Sequence, residues 1–308
     1  MNSALNDYDK FEQVVQKIHP HNKLLRTWKL QGGVSAQITA LEVERADGQT
    51  QKMLVRQHGE RDLAYNPQIA ADEFKLLRLL HTIGLATPVP YYLDQSGTIF
   101  ATPYIVIEYI EGETECAPSN LPDFLRQFAT HLARIHQIDG TKLDLSFLPH
   151  IAERYATELQ KRPPNVDETL NEGRIRATLE AAWLFLQRNP STLLHGDFWP
   201  GNVLCKDGQL VAIIDWEDAA TGDPLADVAN SRLEILWAFG TDAMQRFTDT
   251  YQSITTFDFS LLPYWDLCAA LRPIAQLAQW GLDASTEKTM RARHRWFVAQ
   301  VLDRVHLI

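Results

Sequence analysis

The sequence predicts an α+β fold in two lobes, with a strand-rich front and a helix-rich back, and three observations predict it. Apolar residues follow a strand period over the first third of the chain and a helical period after it. The change falls at residues 108–112, where composition also shifts. Beyond it, two short apolar strands run into polar residues, His195 and Asp215. The front lobe is accordingly set at residues 1–110 and the back lobe at residues 111–308.

Each front-lobe element has a local reason. Residues 38–43 and 52–56 are β-prone runs joined by a polar turn containing Asp47-Gly48, which reads as a hairpin. Asn66-Pro67 offers a helix N-cap followed by proline at the first helical position. The helix behind it places Ala70, Phe74, Leu77 and Leu80 on one face and stops at Gly84. Tyr104-Ile105-Val106-Ile107 is a β-branched run and reads as a buried strand.

In the back lobe, Leu121, Phe124, Leu125, Phe128, Leu132 and Ile135 keep a helical period that stops before Gly140. A second helix has Asp223 as N-cap and Pro224 at its first position, and it ends at Gly240. Between these helices, Thr192-Leu193-Leu194 leads into His195 and Val211-Ala212-Ile213-Ile214 leads into Asp215.

Composition narrows the class of function. The 308 residues are 45% apolar and 22% charged, enough to bury a sizeable core. Asp and Glu number 39 against 29 Lys and Arg, a formal charge of -10. That balance argues against a nucleic-acid partner, because phosphate neutralisation drives such binding. Cys116, Cys205 and Cys268 are far apart, odd in number and form no C-x-x-C pair. Neither a disulfide framework nor a structural zinc is expected, and a reducing compartment fits. The opening Met1-Asn2-Ser3-Ala4-Leu5 lacks the basic-then-apolar pattern of a signal peptide. No apolar run approaches the ~20 residues that span a bilayer. The expectation is a cytoplasmic protein with no membrane partner, and no residue pattern specifies an oligomeric state.

The sharpest segment is His195-Gly196-Asp197-Phe198-Trp199-Pro200-Gly201-Asn202, an H-x-D followed after four residues by Asn. A second carboxylate, Asp215, ends the next apolar strand. Phosphoryl transfer needs such a set. One carboxylate orients an attacking hydroxyl and accepts its proton, while a carboxylate and an amide oxygen hold Mg²⁺. Asp and Asn supply the hard oxygens that Mg²⁺ prefers. Singly, each residue reads as a turn or cap; in this order, after successive strands, they read as a site.

Together with Ile213-Ile214-Asp215-Trp216-Glu217 and Gly222-Asp223-Pro224-Leu225-Ala226-Asp227, this segment resembles the aminoglycoside phosphotransferase and choline kinase family. The resemblance is dense over residues 193–227 and sparse elsewhere. It implies a protein-kinase-like fold, with ATP or GTP and Mg²⁺ as cofactors and a small-molecule acceptor. It implies that Asp197 is the catalytic base, that Asn202 and Asp215 hold the metal, that His195 braces the loop, and that Asp227 accepts N–H groups of that loop. Where protein kinases carry D-F-G, this chain has Asp215-Trp216-Glu217, which argues against a protein substrate.

The same resemblance assigns the nucleotide grip to the front lobe. The turn Gln31-Gly32-Gly33-Val34-Ser35 offers backbone N–H groups at Gly33 and a hydroxyl at Ser35 for phosphate. By register, Arg56 takes the place of the family's strand lysine, Lys52 falling too early, and Glu73 is its partner. Backbone from Glu108 to Ile110 is expected to pair with the adenine edge. Trp199, Glu217 and Asp218 are candidate acceptor contacts. Aminoglycoside sites need many carboxylates, often including an acidic C-terminus, so the mostly apolar ending Asp303-Arg304-Val305-His306-Leu307-Ile308 weighs against that acceptor without excluding it. Choline, homoserine, macrolides, thioribose and sugar amines stay open. The alternatives are a nucleotide-binding pseudokinase scaffold, which the intact Asp197, Asn202 and Asp215 disfavour, and a protein kinase, for which no A-P-E-like segment follows Asp215.

Overall fold

The computed structural model describes residues 7–30, 36–114, 118–140, 142–161, 163–183 and 186–305. The chain divides into two units, one of Met1–Glu111 with Ala212–Glu217 and one of Gly112–Val211 with Asp218–Ile308.

The first unit opens with α1 (Asp7–Ile18), which buries Phe11, Val14 and Val15. Strands β1 (Lys23–Lys29), β2 (Ala36–Glu44) and β3 (Thr50–His58) follow. Helices α2 (Glu60–Tyr65) and α3 (Ile69–Thr82) come next, then β4 (Pro90–Asp94) and β5 (Tyr104–Glu108). The five strands form one antiparallel sheet in the order β1-β2-β3-β5-β4. The β2–β3 turn is the expected one, with Gly48 at φ 80° and Arg45 N–H donating to Gln49 O. Leu24, Leu41, Val43, Met53, Val55, Tyr104 and Val106 make the sheet's contribution to a core shared with α1. Burying each such side chain is worth roughly 1.5–3 kcal/mol.

Two details of α3 differ from the sequence reading. The helix starts at Ile69, and Asn66 instead makes a local turn by accepting the Gln68 N–H. Its buried stripe is Ile69, Ala70, Glu73, Leu76, Leu77 and Leu80, which includes Ala70, Leu77 and Leu80 of the expected face, with Phe74 half-buried. Glu73 takes the inward place next to Phe74, its carboxylate 3.3 Å from Arg56 Nε. Gly84 ends the helix with φ 73°, and just beyond it Ala86 O accepts the Ile213 N–H at 2.8 Å. That bond ties the late segment 212–217 into this unit.

In the second unit, α4 (Leu121–His136) begins at Asn120, whose side chain accepts the Asp123 N–H. It buries Phe124, Leu125, Phe128, Leu132 and Ile135, the expected face. After α5 (Ile151–Gln160) and α6 (Glu172–Ala182) come β6 (Thr192–Leu194), β7 (Val203–Lys206), β8 (Gln209–Ile213) and β9 (Ala220–Gly222). They pair as β6 with β9 and β7 with β8. The strands β7 and β9 were not foreseen; at four and three residues they are too short for a period to show.

Helix α7 (Leu225–Phe239) starts one residue later than expected, with Pro224 and not Asp223 at the N-cap, although the Asp223 side chain still accepts the Leu225 N–H at 3.0 Å. Then come α8 (Thr241–Ser253), α9 (Leu262–Leu271) and α10 (Ala284–Val305). Trp265 is buried, whereas Trp280 and Trp296 are exposed. Cys268 is a buried free thiol, while Cys205 is disulfide-bonded, a departure from the reduced cysteines expected. Among the described residues, no helix is long and apolar enough to cross a membrane.

Candidate active site

Two charged groupings are built, one in each unit. In the first unit, β3 is flanked on both sides, and Arg56 sits opposite Ile38 of β2 and Ile105 of β5. Its side chain is buried with three carboxylates around it. Nη2 donates to Asp215 Oδ1 and Glu217 Oε2, each at 2.5 Å, and Nε lies 3.3 Å from Glu73 Oε2. Burial opposes the charge on Arg56, but Glu73, Asp215 and Glu217 outweigh it and hold its pKa above the ordinary guanidinium value. Lys52 is at the surface, paired with Glu111 at 2.8 Å, so the inward cation of β3 is Arg56.

His58, two residues on, was not singled out from the sequence. Its ring lies 3.1 Å from Glu73 Oε2 and 3.6 Å from Glu217 Oε2. Burial favours the neutral ring, yet Glu217 and Glu73 reverse that and push its pKa up to about 9. Asp215 has φ 65°, a left-handed conformation that Asp tolerates, and this turns the chain from β8 into the short turn Trp216–Asp218. Burial pushes the Asp215 carboxyl up, Arg56 opposes it, and Glu217 adds to it. Glu217, expected at the acceptor, is instead engaged by Arg56 and His58.

Of the other expected nucleotide contacts, Gly33 and Ser35 lie outside the described residues. Glu108 ends β5, its N–H donating to Val89 O and its carboxylate accepting the Val89 N–H. Ile110 lies beyond the sheet ladder.

In the second unit, β6 delivers the segment 195–202. Gly196 has φ 81°, and a Cβ there would lie 2.0 Å from Asp218 O, so only glycine fits. Asp227 on α7 accepts the N–H groups of His195 at 2.7 Å and Gly196 at 2.9 Å. Its carboxylate also bonds His136 Nε2 at 3.2 Å, and His136 Nδ1 bonds the Tyr251 hydroxyl at 2.6 Å. Burial alone would raise the Asp227 pKa, but His136 and the loop N–H groups hold it below the usual carboxylate range. Ser231, one turn on, donates to Phe198 O. His195 Nδ1 accepts the Asp197 N–H at 3.3 Å, the bracing role expected of it.

The Asp197 carboxylate is half-buried and gripped at both oxygens. Asn202 Nδ2 donates to Asp197 O at 2.9 Å and Oδ2 at 3.1 Å, while Arg272 Nη2 donates to Oδ1 at 2.7 Å. With its amide nitrogen so committed, Asn202 keeps Oδ1 as its acceptor atom. Asp218 is paired with Arg154 at 3.1 Å and lies 3.8 Å from Arg272. Trp199 is exposed and lies across Gly201, where any Cβ would strike the indole. Glu234 on α7 was also unforeseen: burial first, and Asp197 second, push its pKa up to about 8.

Each of the two expected metal ligands, taken within its own unit, carries oxygen of the right chemistry. Asn202 Oδ1 and the Asp215 carboxylate are hard oxygens. Among the described residues, no three His, Cys, Asp or Glu side chains form a metal-holding group. Few protein ligands, with phosphates completing the shell, is how Mg²⁺ is usually held.

Residues 31–297 match the family described as phosphotransferase enzyme family. Acyl-CoA dehydrogenase family member 10 of Mus musculus is 29% identical over 179 residues, 52% of this chain and 16% of that protein. Hygromycin-B 4-O-kinase of Escherichia coli is 24% identical over 210 residues, 61% of this chain and 60% of that one. The chain thus spans less than two-thirds of the length of either relative. Among solved structures, the GDP and kanamycin complex of APH(2")-IIIa superposes with TM-score 0.65 at 15% identity, covering 96% of this chain and 97% of that one. Macrolide 2'-phosphotransferase MphH from Brachybacterium faecium superposes with TM-score 0.61 at 17% identity, covering 93% and 97%. At these identities the likeness is one of fold.

Proposed function

The chain belongs to the phosphotransferase enzyme family, and we propose that it moves the γ-phosphoryl group of ATP or GTP to a hydroxyl of a small molecule. The observation that carries this reading is Asp197, a half-buried carboxylate held at the end of β6 on a loop whose backbone is pinned by Asp227. Asp197 orients the acceptor hydroxyl and takes its proton as the new O–P bond forms. The bond from the γ-phosphorus to the bridging oxygen breaks, and the nucleoside diphosphate leaves.

Asn202 and Asp215 are the oxygen ligands we assign to Mg²⁺. When bound, the metal neutralises charge on the phosphates. Residues 1–110 serve the nucleotide, with Arg56 and Glu73 as its ion pair, Gly33, Glu108 and Ile110 contributing through their backbone and Ser35 through its hydroxyl. Residues 111–308 serve catalysis and the acceptor, for which Trp199 and Asp218 are exposed contacts.

The test is a coupled measurement of ADP or GDP release across hydroxylated acceptors, with hygromycin B, kanamycin and macrolides among them. The expected result is acceptor-dependent release for at least one compound, with a phosphorylated product. Magnesium-dependent nucleotide binding with no transfer to any acceptor would overturn the reading in favour of a pseudokinase scaffold.

A further inference from the structure

We propose that Arg272 is the positioning residue of the base, the side chain that sets the orientation of the Asp197 carboxylate. The inference rests on the reading of Asp197 as the base. It stands on four contacts within the second unit. Arg272 Nη1 donates to Gly196 O at 3.0 Å and to Asn230 Oδ1 at 3.1 Å, and Nη2 donates to Asp197 Oδ1 at 2.7 Å. Asn202 Nδ2 meets the other carboxylate oxygen at 3.1 Å. The carboxylate plane is therefore held from both edges, while each oxygen keeps a lone pair for an incoming hydroxyl.

The arrangement divides the work between two helices. On α7, Asp227, Asn230 and Ser231 fall at i, i+3 and i+4 and face the loop together. Asp227 and Ser231 hold loop backbone, at His195, Gly196 and Phe198. Asn230 holds no backbone; it accepts from Arg272, which carries the grip on to the side chain. Arg272 reaches that point from the far end of α9, which stops at Leu271 because Pro273 cannot continue the ladder. A planar guanidinium fork can serve three acceptors in fixed directions, which an ammonium cannot. Its other close neighbour is Asp218, 3.8 Å away and itself paired with Arg154.

The prediction separates turnover from binding. Arg272 is 38% exposed at its side chain, and its bonds here are all internal. Removing it frees Asp197 to swing away from Oδ1-directed geometry without leaving a buried charge behind. Arg272→Ala should lose about 10²-fold in kcat, the scale of a base misplaced by an ångström. Nucleotide affinity and acceptor KM should stay near the parent values. Arg272→Lys, which keeps the charge but not the fork, should recover part of the loss. Asn230→Ala should act in the same direction and more weakly, and should add little on top of Arg272→Ala, since both act through one contact.

The deciding experiment pairs crystal structures of the parent and Arg272→Ala with steady-state kinetics on magnesium ATP and the best acceptor of the screen. Support is an Asp197 side chain that changes rotamer or spreads over several, with kcat falling and KM held. An unchanged, well-ordered Asp197 in the variant overturns the proposal. So does a variant whose loss lies in acceptor KM, which would make Arg272 an acceptor ligand. If the parent transfers phosphate to no acceptor, the base reading fails, and the rotamer comparison still decides whether Arg272 positions Asp197. If Arg272→Ala does not fold, Arg272→Lys and Asn230→Ala carry the same two comparisons.

Discussion

Arg56 and Arg272 are both arginines set among carboxylates, one in each unit, and they do opposite jobs. Arg56 is buried and meets Glu73, Asp215 and Glu217 within 3.3 Å, with His58 alongside. Every member of that group depends on another for compensation, since an unpaired buried charge costs several kcal/mol. Arg272 is partly in water, and two of its three acceptors are neutral oxygens, on Gly196 and Asn230. Screened by solvent, it adds little to stability but fixes one direction in space. The contrast teaches that charge density alone does not mark a catalytic group. The dense cluster holds groups that compensate one another, the proposed metal ligand Asp215 among them, and the sparse one aims a side chain.

The largest expected effect sharpens that contrast at Asp197. Asp197→Asn keeps the shape and one acceptor oxygen, turns its amide nitrogen against Arg272 or Asn202 Nδ2, and removes the proposed base. Transfer to the true acceptor should fall by ~10²–10⁴-fold with Tm and nucleotide affinity near the parent values. A parent-like rate would make Asp197 structural, and a failure to fold would make it a brace like Glu73.

Arg56→Ala should do the reverse. Three carboxylates would lose their main cation, and stability should fall by about 3–5 kcal/mol in denaturant unfolding. Arg56→Lys should fall less, because it keeps a cation in the cluster, but it should still fall, because one ammonium cannot reach three carboxylates as a fork does. A loss below about 1 kcal/mol would show that water already compensates the cluster, and the comparison between the two arginines would break.

These two residues also show how far the sequence can be read. Asp197 announces itself, because its role is carried by neighbours five residues away or fewer and by a strand just before it. The β2–β3 turn, the face of α4 and, to within one residue, the start of α7 are legible for the same reason: short-range chemistry leaves a local pattern. Arg56 is legible by register, as a strand position. Arg272 is not, since the groups it bonds lie 42 to 76 positions away and only packing brings them together. His58 hides likewise, its partners being Glu73 and the late segment carrying Glu217. On α3 the periodicity finds Ala70, Leu77 and Leu80 but not the buried Glu73, whose partner Arg56 lies on a strand.

A smaller effect is expected at Asp227, where the two regions share a theme, a buried carboxylate with several donors. Asp227→Asn keeps one acceptor oxygen for two loop N–H groups and loses the charge facing His136. A cost of about 1.5–3 kcal/mol follows from losing a charge-assisted bond. The Asp227 pKa is depressed in the fold, so its contribution is present above the ordinary carboxylate value and lost as pH falls through the depressed one. The parent should therefore lose stability in acid more steeply than the variant, as read by Tm against pH. Equal slopes would place the acid-labile proton elsewhere.

The smallest effect tests whether the Arg56 cluster holds a proton as well as a charge. His58 is buried against Glu73 and Glu217, and its pKa is pushed from 6.5 up to about 9. A raised pKa means the folded protein binds a proton that the unfolded chain has already released. Below pH 6.5 both states are protonated and the stabilisation is fully present; it fades as pH rises and is gone above about 9. Tm of the parent should thus drop by on the order of a few degrees across that window. His58→Gln retains a donor for Glu73 but cannot titrate, so its curve should be flatter there. The gap between the two proteins should be widest at the acidic end and narrow towards the alkaline end. A parent whose Tm holds level through the window would mean that His58 is neutral in the fold. The cluster would then carry three carboxylates on Arg56 alone, and it would differ from the Arg272 site still more in charge than it does in burial.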